Sequence, residues 1–379
     1  MATTQFPAAT RTVSGKGTAR KLRRDSDLPA AVDHLRFFAG VLRSPEGRAA
    51  SEFSGNHTSM IRREPVGVAA LIAPWNYPFA MAIWQAAPAL AAGNCVVMKP
   101  ASATPLTAIR FAELAREVGF PNGVVNVITG PGSEIGAIFA ADPRVDMITL
   151  TGDSATGRWL MAASAPTLKR LSMELGGNAP FIVFDDADID SAVEGAMASK
   201  YRNAGQTCVC ANRIYVQDAV YDEFVQKFAH RVKSLKVGNG FDADVVQGPL
   251  IEPAAIEKVE RHVQDAIAKG GKVLAGGHKL QGQFFEPTVI AEARADMLCA
   301  REETFGPFAP VFKFDTEDEA IAALDQGDYA TAEAAYKRLL ARKPNDQYAK
   351  LGLAQTQLMA RTHGFDAAKI MEDAIKQPD

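Results

Sequence analysis

The chain has 379 residues, which is enough for two or three domains and a large buried core. Its net charge of -3 gives no general attraction to nucleic acid or to membranes, and four cysteines are too few for a disulfide scaffold. No apolar stretch reads as a signal peptide or a membrane span. We therefore predict a cytoplasmic protein without nucleic-acid or membrane partners.

The first 32 residues form a basic leader rich in Gly and Ser, including SGKGTARKLRRDSD. Such a composition buries little apolar surface, so we predict a flexible segment. A contact with nucleic acid is the alternative for this stretch.

From Val66 onwards, apolar strands alternate with helices. We predict strands at VGVAALIA, NCVVMK, GVVNVIT and VDMITL, and helices at AMAIWQAAPALAAG, at 107–118 and after GPGSEIG, followed by a turn at TGDSATG. Strands that alternate with helices indicate parallel βαβ units, and nearly continuous apolar strands fit a sheet covered on both faces. The fold class is therefore α/β, and 33–172 is predicted to form a doubly wound parallel sheet.

A second cycle of the same kind begins at KRLSMELGGNAPFIVF. It contains predicted helices at 189–200, 221–237 and 254–269 and predicted strands at NRIYVQ, KVLAGG, EPTVI and PVFKF. We assign 173–322 to a second α/β domain. Beyond Asp315 the chain is rich in Ala with helical spacing throughout and no clear strand, which indicates an all-α tail over 323–379.

The segment RNAGQTCVCANR holds two of the four cysteines, Cys208 and Cys210, one residue apart. This spacing is too tight for a zinc pair and no partner pair lies nearby, so we predict no metal. A disulfide between them would close a small, strained ring, which disfavours a structural staple but leaves a redox switch open. A nucleophilic thiol on an accessible loop and two ordinary half-buried thiols both remain open on this evidence.

Three further motifs carry polar side chains at strand ends or rigid turns. Glu174 in MELGG is a candidate general base beside a Gly-Gly turn, Asn76 in PWNYP is a candidate oxyanion donor, and Glu303 precedes the rigid turn in EETFGP. Each also has a structural alternative: a surface ion pair, a turn former and a solvated charge, respectively.

Six motifs occur in the chain in this order: PWNYP, KPASATPLTA, TGDSATG, MELGGNAPFIVF, NAGQTCVCANR and EETFGP. Together they resemble the aldehyde dehydrogenase family in order and spacing, and the resemblance extends from about Asp33 to Ala322. The resemblance implies oxidation of an aldehyde to a carboxylic acid through a thiohemiacetal and a thioester on Cys208. It implies that Asn76 and the Cys208 backbone N–H stabilise the oxyanion and that Glu174 activates the hydrolytic water. Cys210 resembles a second cysteine that acts as a redox switch in the succinate-semialdehyde branch.

The resemblance also implies NADP or NAD as cofactor, bound by 33–172. Lys99 resembles the ribose-contacting lysine, and Ser102 stands where NAD-preferring members carry Glu, so we expect NADP to bind well. Asp153 departs from the Ser usual beside the pyrophosphate, and it would repel phosphate unless it points away. The remaining cofactor contacts implied are Gly132, Gly136, Gly152, Gly157, Leu175, Glu303 and Phe305.

The substrate motifs conflict. Arg202 resembles the carboxylate-binding arginine of succinate-semialdehyde dehydrogenases, although a structural ion pair is the alternative. Trp84 stands where that branch has a second arginine, and it resembles a wall of the aldehyde tunnel in the aminobutyraldehyde branch. We expect a small semialdehyde or amino-aldehyde substrate.

The tail resembles a tetratricopeptide repeat. The matching positions are Gly327, Tyr329, Ala332, Tyr336, Leu340 and Pro344, with Ala349, Leu353 and Ala354 opening a second repeat. A generic amphipathic helix pair is the alternative. Because this tail replaces the family's remaining strands, including the one used for oligomerisation, we expect an incomplete catalytic domain and a proteolytic site between about 315 and 328. Two further expectations follow. The tail is a candidate site for a protein partner, and a homo-oligomer is possible although the oligomerisation strand is absent. The alternative to an active dehydrogenase is an inactive fragment that acts as an interaction protein through the tail.

Overall fold

The computed structural model describes residues 27–43, 48–54 and 57–316. It begins with helix α1 (Leu28–Val41), followed by an antiparallel hairpin of β1 (Arg48–Ser54) and β2 (His57–Ile61). Helical structure begins at Leu28, within the last residues of the segment predicted to be a flexible leader. Ala31 is fully buried in the core, and the Asp27 carboxylate accepts from the backbone N–H of Ala80 at 2.6 Å, so this segment is tied to the next helix. The rest of the leader lies outside the described residues.

The first sheet is parallel throughout, as predicted. Its strands are β3 (Val68–Ile72), β4 (Cys95–Lys99), β5 (Val125–Val127), β6 (Met147–Thr151) and β7 (Arg170–Glu174), in the spatial order β5-β4-β3-β6-β7. The helices between them are α2 (Pro78–Ala91), α3 (Leu106–Glu117), α4 (Gly132–Ala141) and α5 (Ser154–Ser164). The order reverses between β3 and β6, which places the carboxyl ends of the strands at the usual ligand-binding crevice of such sheets.

Residues on both faces of this sheet are buried, which explains the nearly continuous apolar runs. Leu71 of β3 packs with Ile83 of α2 on one face, whereas the preceding Ala70 packs with Ile135 of α4 on the other. The predicted turn TGDSATG is corrected in part: α5 already begins at Ser154, because the Asp153 side chain caps it by accepting from the Thr156 backbone N–H at 2.8 Å.

A second five-stranded sheet follows, in the order β10-β11-β12-β9-β8. Its strands are β8 (Pro180–Val183), β9 (Arg213–Gln217), β10 (Lys272–Ala275), β11 (Thr288–Ala293) and β12 (Phe308–Phe314), all parallel except for the β10–β11 pair. The accompanying helices are α6 (Ile189–Lys200), α7 (Asp218–Lys233), α8 (Pro253–Ala268) and the short α9 (Leu298–Arg301). The predicted helix at 221–237 is therefore shifted: α7 begins directly where β9 ends.

Helices α6 and α7 cover one face of the second sheet, and α8 covers the other. Ile214 of β9 packs with Phe224 of α7, and Ile290 of β11 packs with Val259 of α8. No helix in the described ranges combines the length and apolar character that a membrane crossing requires. The predicted tail over 323–379 lies outside the described residues.

Candidate active site

The cysteine loop follows α6 and presents Cys208 to solvent. A short 3-10 turn (Arg202–Gly205) leaves α6, with Asn203 and Ala204 in left-handed conformations at φ 50° and 55°. A Cβ on Gly205 would collide with the Gly306 carbonyl oxygen, so only glycine fits there. Cys208 is exposed, Cys95 is half-buried, and Cys210 and Cys299 are buried; all four are free thiols. Cys208 is therefore the most accessible of the four thiols.

Cys208 lies in a partly desolvated, negatively charged environment. Burial raises the pKa of its thiol, and the charges of Glu303, Cys210 and Glu174 raise it further, whereas a contact with its own backbone N–H lowers it. The thiol is therefore protonated near neutral pH, and reaction requires that a base take its proton. The two carboxylates that act on it are the ones singled out in the sequence.

Asn76 and Glu174 approach the cysteine loop from the carboxyl edge of the first sheet. The Asn76 amide Nδ2 donates to the carbonyl of Gln206 at 3.2 Å, across 130 positions of sequence, two residues before Cys208. Glu174 ends β7, its side chain is exposed, and its backbone carbonyl accepts from Gly152 at 3.0 Å. The structure thus places Asn76 against the cysteine loop and Glu174 close enough for its charge to act on the Cys208 thiol.

Arg202 and Tyr77 form a pair beside the same thiol. Burial raises the pKa of the Tyr77 hydroxyl, while the charge of Arg202 and a hydrogen bond from it lower that pKa; the charges of Cys210 and Cys208 add a smaller increase. Arg202 is exposed, and it takes part in none of the ion pairs found within residues 27–43 and 60–316. Its guanidinium is therefore solvent-exposed beside Tyr77, and no carboxylate in these ranges is paired with it.

Trp84 was predicted to line the aldehyde tunnel and Cys210 to act as a redox switch, and both side chains make contacts of a different kind in the structure. The half-exposed Trp84 indole lies against His34 of α1, with ring centroids 4.4 Å apart. Cys210 is held by the Thr207 hydroxyl at 2.6 Å and donates to the Lys200 carbonyl at 3.5 Å. A disulfide with Cys208 would require Cys210 to leave these buried contacts. The tunnel wall and the redox switch remain predictions.

The predicted ribose contacts lie together after β4. Lys99 is buried, burial lowers its pKa, and its ammonium lies close enough to α4 that a Cβ on Gly132 would be 3.5 Å from Nζ. Ser102 is exposed, and its hydroxyl donates to the Gly130 carbonyl at 3.0 Å. A buried cation next to a helix that begins with glycine provides a positively charged edge for an anionic ligand.

The glycines at α4 and α5 make room for close packing. A Cβ on Gly157 would approach Leu175 to 2.7 Å, one on Gly136 would lie 3.6 Å from Trp159, and one on Gly152 would lie 3.3 Å from Leu150. Both Asp153 oxygens are used locally, since Oδ2 also accepts from the Thr156 hydroxyl at 2.7 Å. Burial raises the pKa of Asp153, but these hydrogen bonds outweigh it and the pKa is lowered. The carboxylate is thus engaged as a helix cap.

Glu303 and Phe305 border the site from the second sheet. Burial raises the pKa of Glu303, and the charges of Lys258 and Lys200 and a hydrogen bond from the Gly177 N–H lower it in part. Its buried Oε1 has no hydrogen-bond partner in the described part of the chain. Phe305 packs edge-on against Trp75 of PWNYP, with ring centroids 5.7 Å apart. An orphaned carboxylate oxygen next to an aromatic pair marks a place for a polar ligand.

Lys200 was missed from the sequence although it lies behind the cysteine loop. It is fully buried, and its ammonium donates to Asn212 Oδ1 at 3.2 Å. Burial lowers its pKa to about 8, against the opposing effect of Cys210, Glu303 and Cys299. The signal was present in the pattern, because Lys200 falls on the buried stripe of α6 after Val193 and Met197.

Within the described ranges, no three His, Cys, Asp or Glu side chains lie together as a metal site would require. The arrangement is that of an α/β protein with a crevice at the switch point of one parallel sheet. An accessible thiol lies in a loop of the second sheet, and the charges of two carboxylates act on it. Such an arrangement is typical of oxidoreductases.

Comparison with known proteins shows the family to which the chain belongs. The aldehyde dehydrogenase family matches residues 8–342, a wider span than the motifs alone suggested, and a tetratricopeptide repeat matches 323–363. The chain belongs to the aldehyde dehydrogenase family. The resemblance of the tail to a tetratricopeptide repeat is confirmed at the level of sequence.

Several of the relatives are semialdehyde dehydrogenases. The chain is 53% identical over 318 residues to glutarate-semialdehyde dehydrogenase of Pseudomonas aeruginosa, and 46% identical over 318 residues to the NADP(+) succinate-semialdehyde dehydrogenase of Escherichia coli; each match covers 83% of this chain and 66% of the relative. The solved succinate-semialdehyde dehydrogenase of Burkholderia pseudomallei superposes with a TM-score of 0.79 at 46% identity, covering 82% of this chain and 66% of that one. The chain thus spans about two thirds of the length of these relatives.

Proposed function

We propose that the protein oxidises a small semialdehyde to a dicarboxylic acid with NADP or NAD through a covalent intermediate on Cys208. The observation that carries this proposal is the convergence of one accessible thiol, the Asn76 amide and the Glu174 carboxylate at one edge of the first sheet. The semialdehyde class is supported by the exposed guanidinium of Arg202, which can pair with a substrate carboxylate, and by the relatives named above. An amino-aldehyde would place a cation beside Arg202, which disfavours it.

The chain's own residues supply nucleophile, oxyanion donor and base. After the Cys208 thiol gives up its proton to solvent water, the thiolate attacks the aldehyde carbon to form a thiohemiacetal. The Asn76 amide and the Cys208 backbone N–H then donate to the oxyanion. After oxidation to the thioester, Glu174 accepts a proton from the water that attacks the thioester carbonyl, and the acid leaves as the thiol is restored.

Two observations fit a bound nicotinamide dinucleotide, which accepts a hydride from the substrate when present. Lys99 and the beginning of α4 offer a positive edge for its phosphates and ribose, and the orphaned Glu303 Oε1 offers an acceptor for hydroxyl groups at the other end. Phe305 would orient the ring. These residues would bind and position the cofactor in this proposal.

Arg202→Gln is expected to lower kcat/KM for succinate semialdehyde by about 10- to 100-fold, because a charge-assisted bond to the substrate carboxylate is lost. The measurement is the formation of reduced nicotinamide by the purified protein with succinate semialdehyde and, in parallel, with the neutral aldehyde butanal. Arg202 contacts Tyr77 as well, so Tyr77→Phe serves as the matched control for that contact. An equal loss of kcat/KM with butanal would show that Arg202 does not bind the substrate carboxylate.

Ser102→Glu is expected to weaken NADP binding by about 10-fold or more and to shift preference towards NAD, because a carboxylate there repels a 2′-phosphate. The test is fluorescence titration of both cofactors. Ser102→Ala removes the hydrogen bond to Gly130 without adding charge and should leave the preference unchanged. Stronger binding of NAD than of NADP by the unmutated protein would contradict this interpretation of Ser102.

We also propose that the tail binds a protein partner. This rests on the tetratricopeptide-repeat match over 323–363, because a small number of such repeats must pack on a neighbouring surface to be stable. The proposal is independent of the chemistry at Cys208.

A further inference from the structure

The turn formed by Glu303, Thr304 and Phe305 adopts a backbone that its sequence does not favour. Phe305 has φ 55°, in the left-handed region that a bulky residue rarely occupies. Its ring is nevertheless fixed edge-on against Trp75, with an interplanar angle of 84°. A strained residue keeps one position only when the surrounding structure holds it.

The support comes from α8, through His262. This side chain is fully buried, its Nδ1 lies 2.9 Å from the Thr304 hydroxyl oxygen, and its ring packs edge-on against Phe308 at the start of β12. One turn earlier on α8, Val259 occupies the space next to Gly306, where a Cβ would collide with it. Helix α8 therefore contacts the turn at two successive positions.

The environment of His262 decides its protonation. Burial lowers the pKa of the imidazole to about 4, against a smaller increase from Glu302, so the ring is neutral near pH 7. Its Nε2 lies 3.5 Å from Glu302 Oε2 without hydrogen-bond geometry, and Glu302 also pairs with Arg261 at 3.2 Å. The nearby carboxylate favours the tautomer with hydrogen on Nε2, which leaves Nδ1 to accept from the Thr304 hydroxyl.

We infer that His262 is a positioning residue that acts through Thr304. By accepting the Thr304 hydrogen bond it holds Glu303 and the left-handed Phe305 in front of the cysteine loop, which the turn contacts where the Gly306 carbonyl meets Gly205. Its consequence for the cofactor rests on the proposed function, since Glu303 and Phe305 are the residues proposed to bind the nicotinamide end. His262 itself contacts none of the reacting groups.

The test compares Thr304→Val, which removes only the hydroxyl, with His262→Leu and His262→Asn. Asn retains an acceptor near the Nδ1 position, so it is the conservative variant. The first readout is hydrogen exchange of the backbone amides over 302–309 without any ligand. Exchange should be about 5- to 10-fold faster in Thr304→Val and His262→Leu and close to that of the unmutated protein in His262→Asn.

The second readout separates the two ends of the cofactor. NADPH should bind about 10-fold more weakly to Thr304→Val, whereas 2′-phospho-ADP-ribose, which lacks the nicotinamide, should bind unchanged. Unchanged exchange over 302–309 in both Thr304→Val and His262→Leu would overturn the inference. So would exchange accelerated equally in β3 and α6, since that means a general packing role. If the unmutated protein binds neither nucleotide, the proposed function fails, and the exchange comparison still decides the role of His262.

Discussion

Cys208→Ser is expected to reduce the formation of reduced nicotinamide by at least about 1,000-fold, because a hydroxyl without a strong base cannot replace the thiolate. The same change should remove the single preferred site of alkylation by limiting iodoacetamide, read by mass spectrometry. The physical reason is access, since Cys208 is exposed whereas Cys210 and Cys299 are buried.

Cys95→Ser is the matched control. Cys95 begins β4, at the end of the strand opposite to Lys99, so its loss should leave both labelling and turnover unchanged. Because the pKa of Cys208 is raised, labelling should accelerate as the pH rises, with a midpoint above that of an ordinary cysteine. Preferential labelling of Cys95 or Cys299 would contradict the assignment of Cys208 as the nucleophile.

Glu174→Gln is expected to lower the steady-state rate by about 100- to 10,000-fold, which is the typical contribution of a positioned general base. The amide cannot accept a proton from the hydrolytic water, so the thioester on Cys208 should accumulate. Mass spectrometry of the protein quenched with substrate should show the acyl adduct.

The neighbouring carboxylate provides the control for Glu174. Glu303→Gln removes the other carboxylate charge that acts on Cys208 but leaves the proposed base in place, so it should affect cofactor binding more than hydrolysis. If Glu174→Gln showed no acyl adduct and an unchanged rate, Glu174 would not be the base. If Glu303→Gln accumulated the adduct instead, the two roles would have to be exchanged.

The first sheet was predictable from the sequence because its strands are apolar on both faces. Leu71 and Ala70 face different helices, so each strand reads as a continuous apolar run, and the glycines after α2 and α3 end the helices clearly. Helix α1 and the hairpin were not predicted. Helix α1 is held in place by contacts of Asp27 and Ala31 with α2, some 50 positions later. No local sequence pattern predicts such contacts.

The sequence by itself determined the family, since six motifs occur in the order and spacing of the aldehyde dehydrogenases, and the roles of Cys208, Asn76 and Glu174 are predictions that follow from that resemblance. Only the tertiary structure decided which groups surround them: Arg202 with Tyr77, the buried Lys200 with Asn212, and His262 with Thr304. The physical reason is that desolvation and hydrogen bonding act between side chains that are close in space. Arg202 and Tyr77, 125 positions apart, meet only when the units of the two sheets come together, whereas the pairs 12 and 42 positions apart meet within the unit of the second sheet.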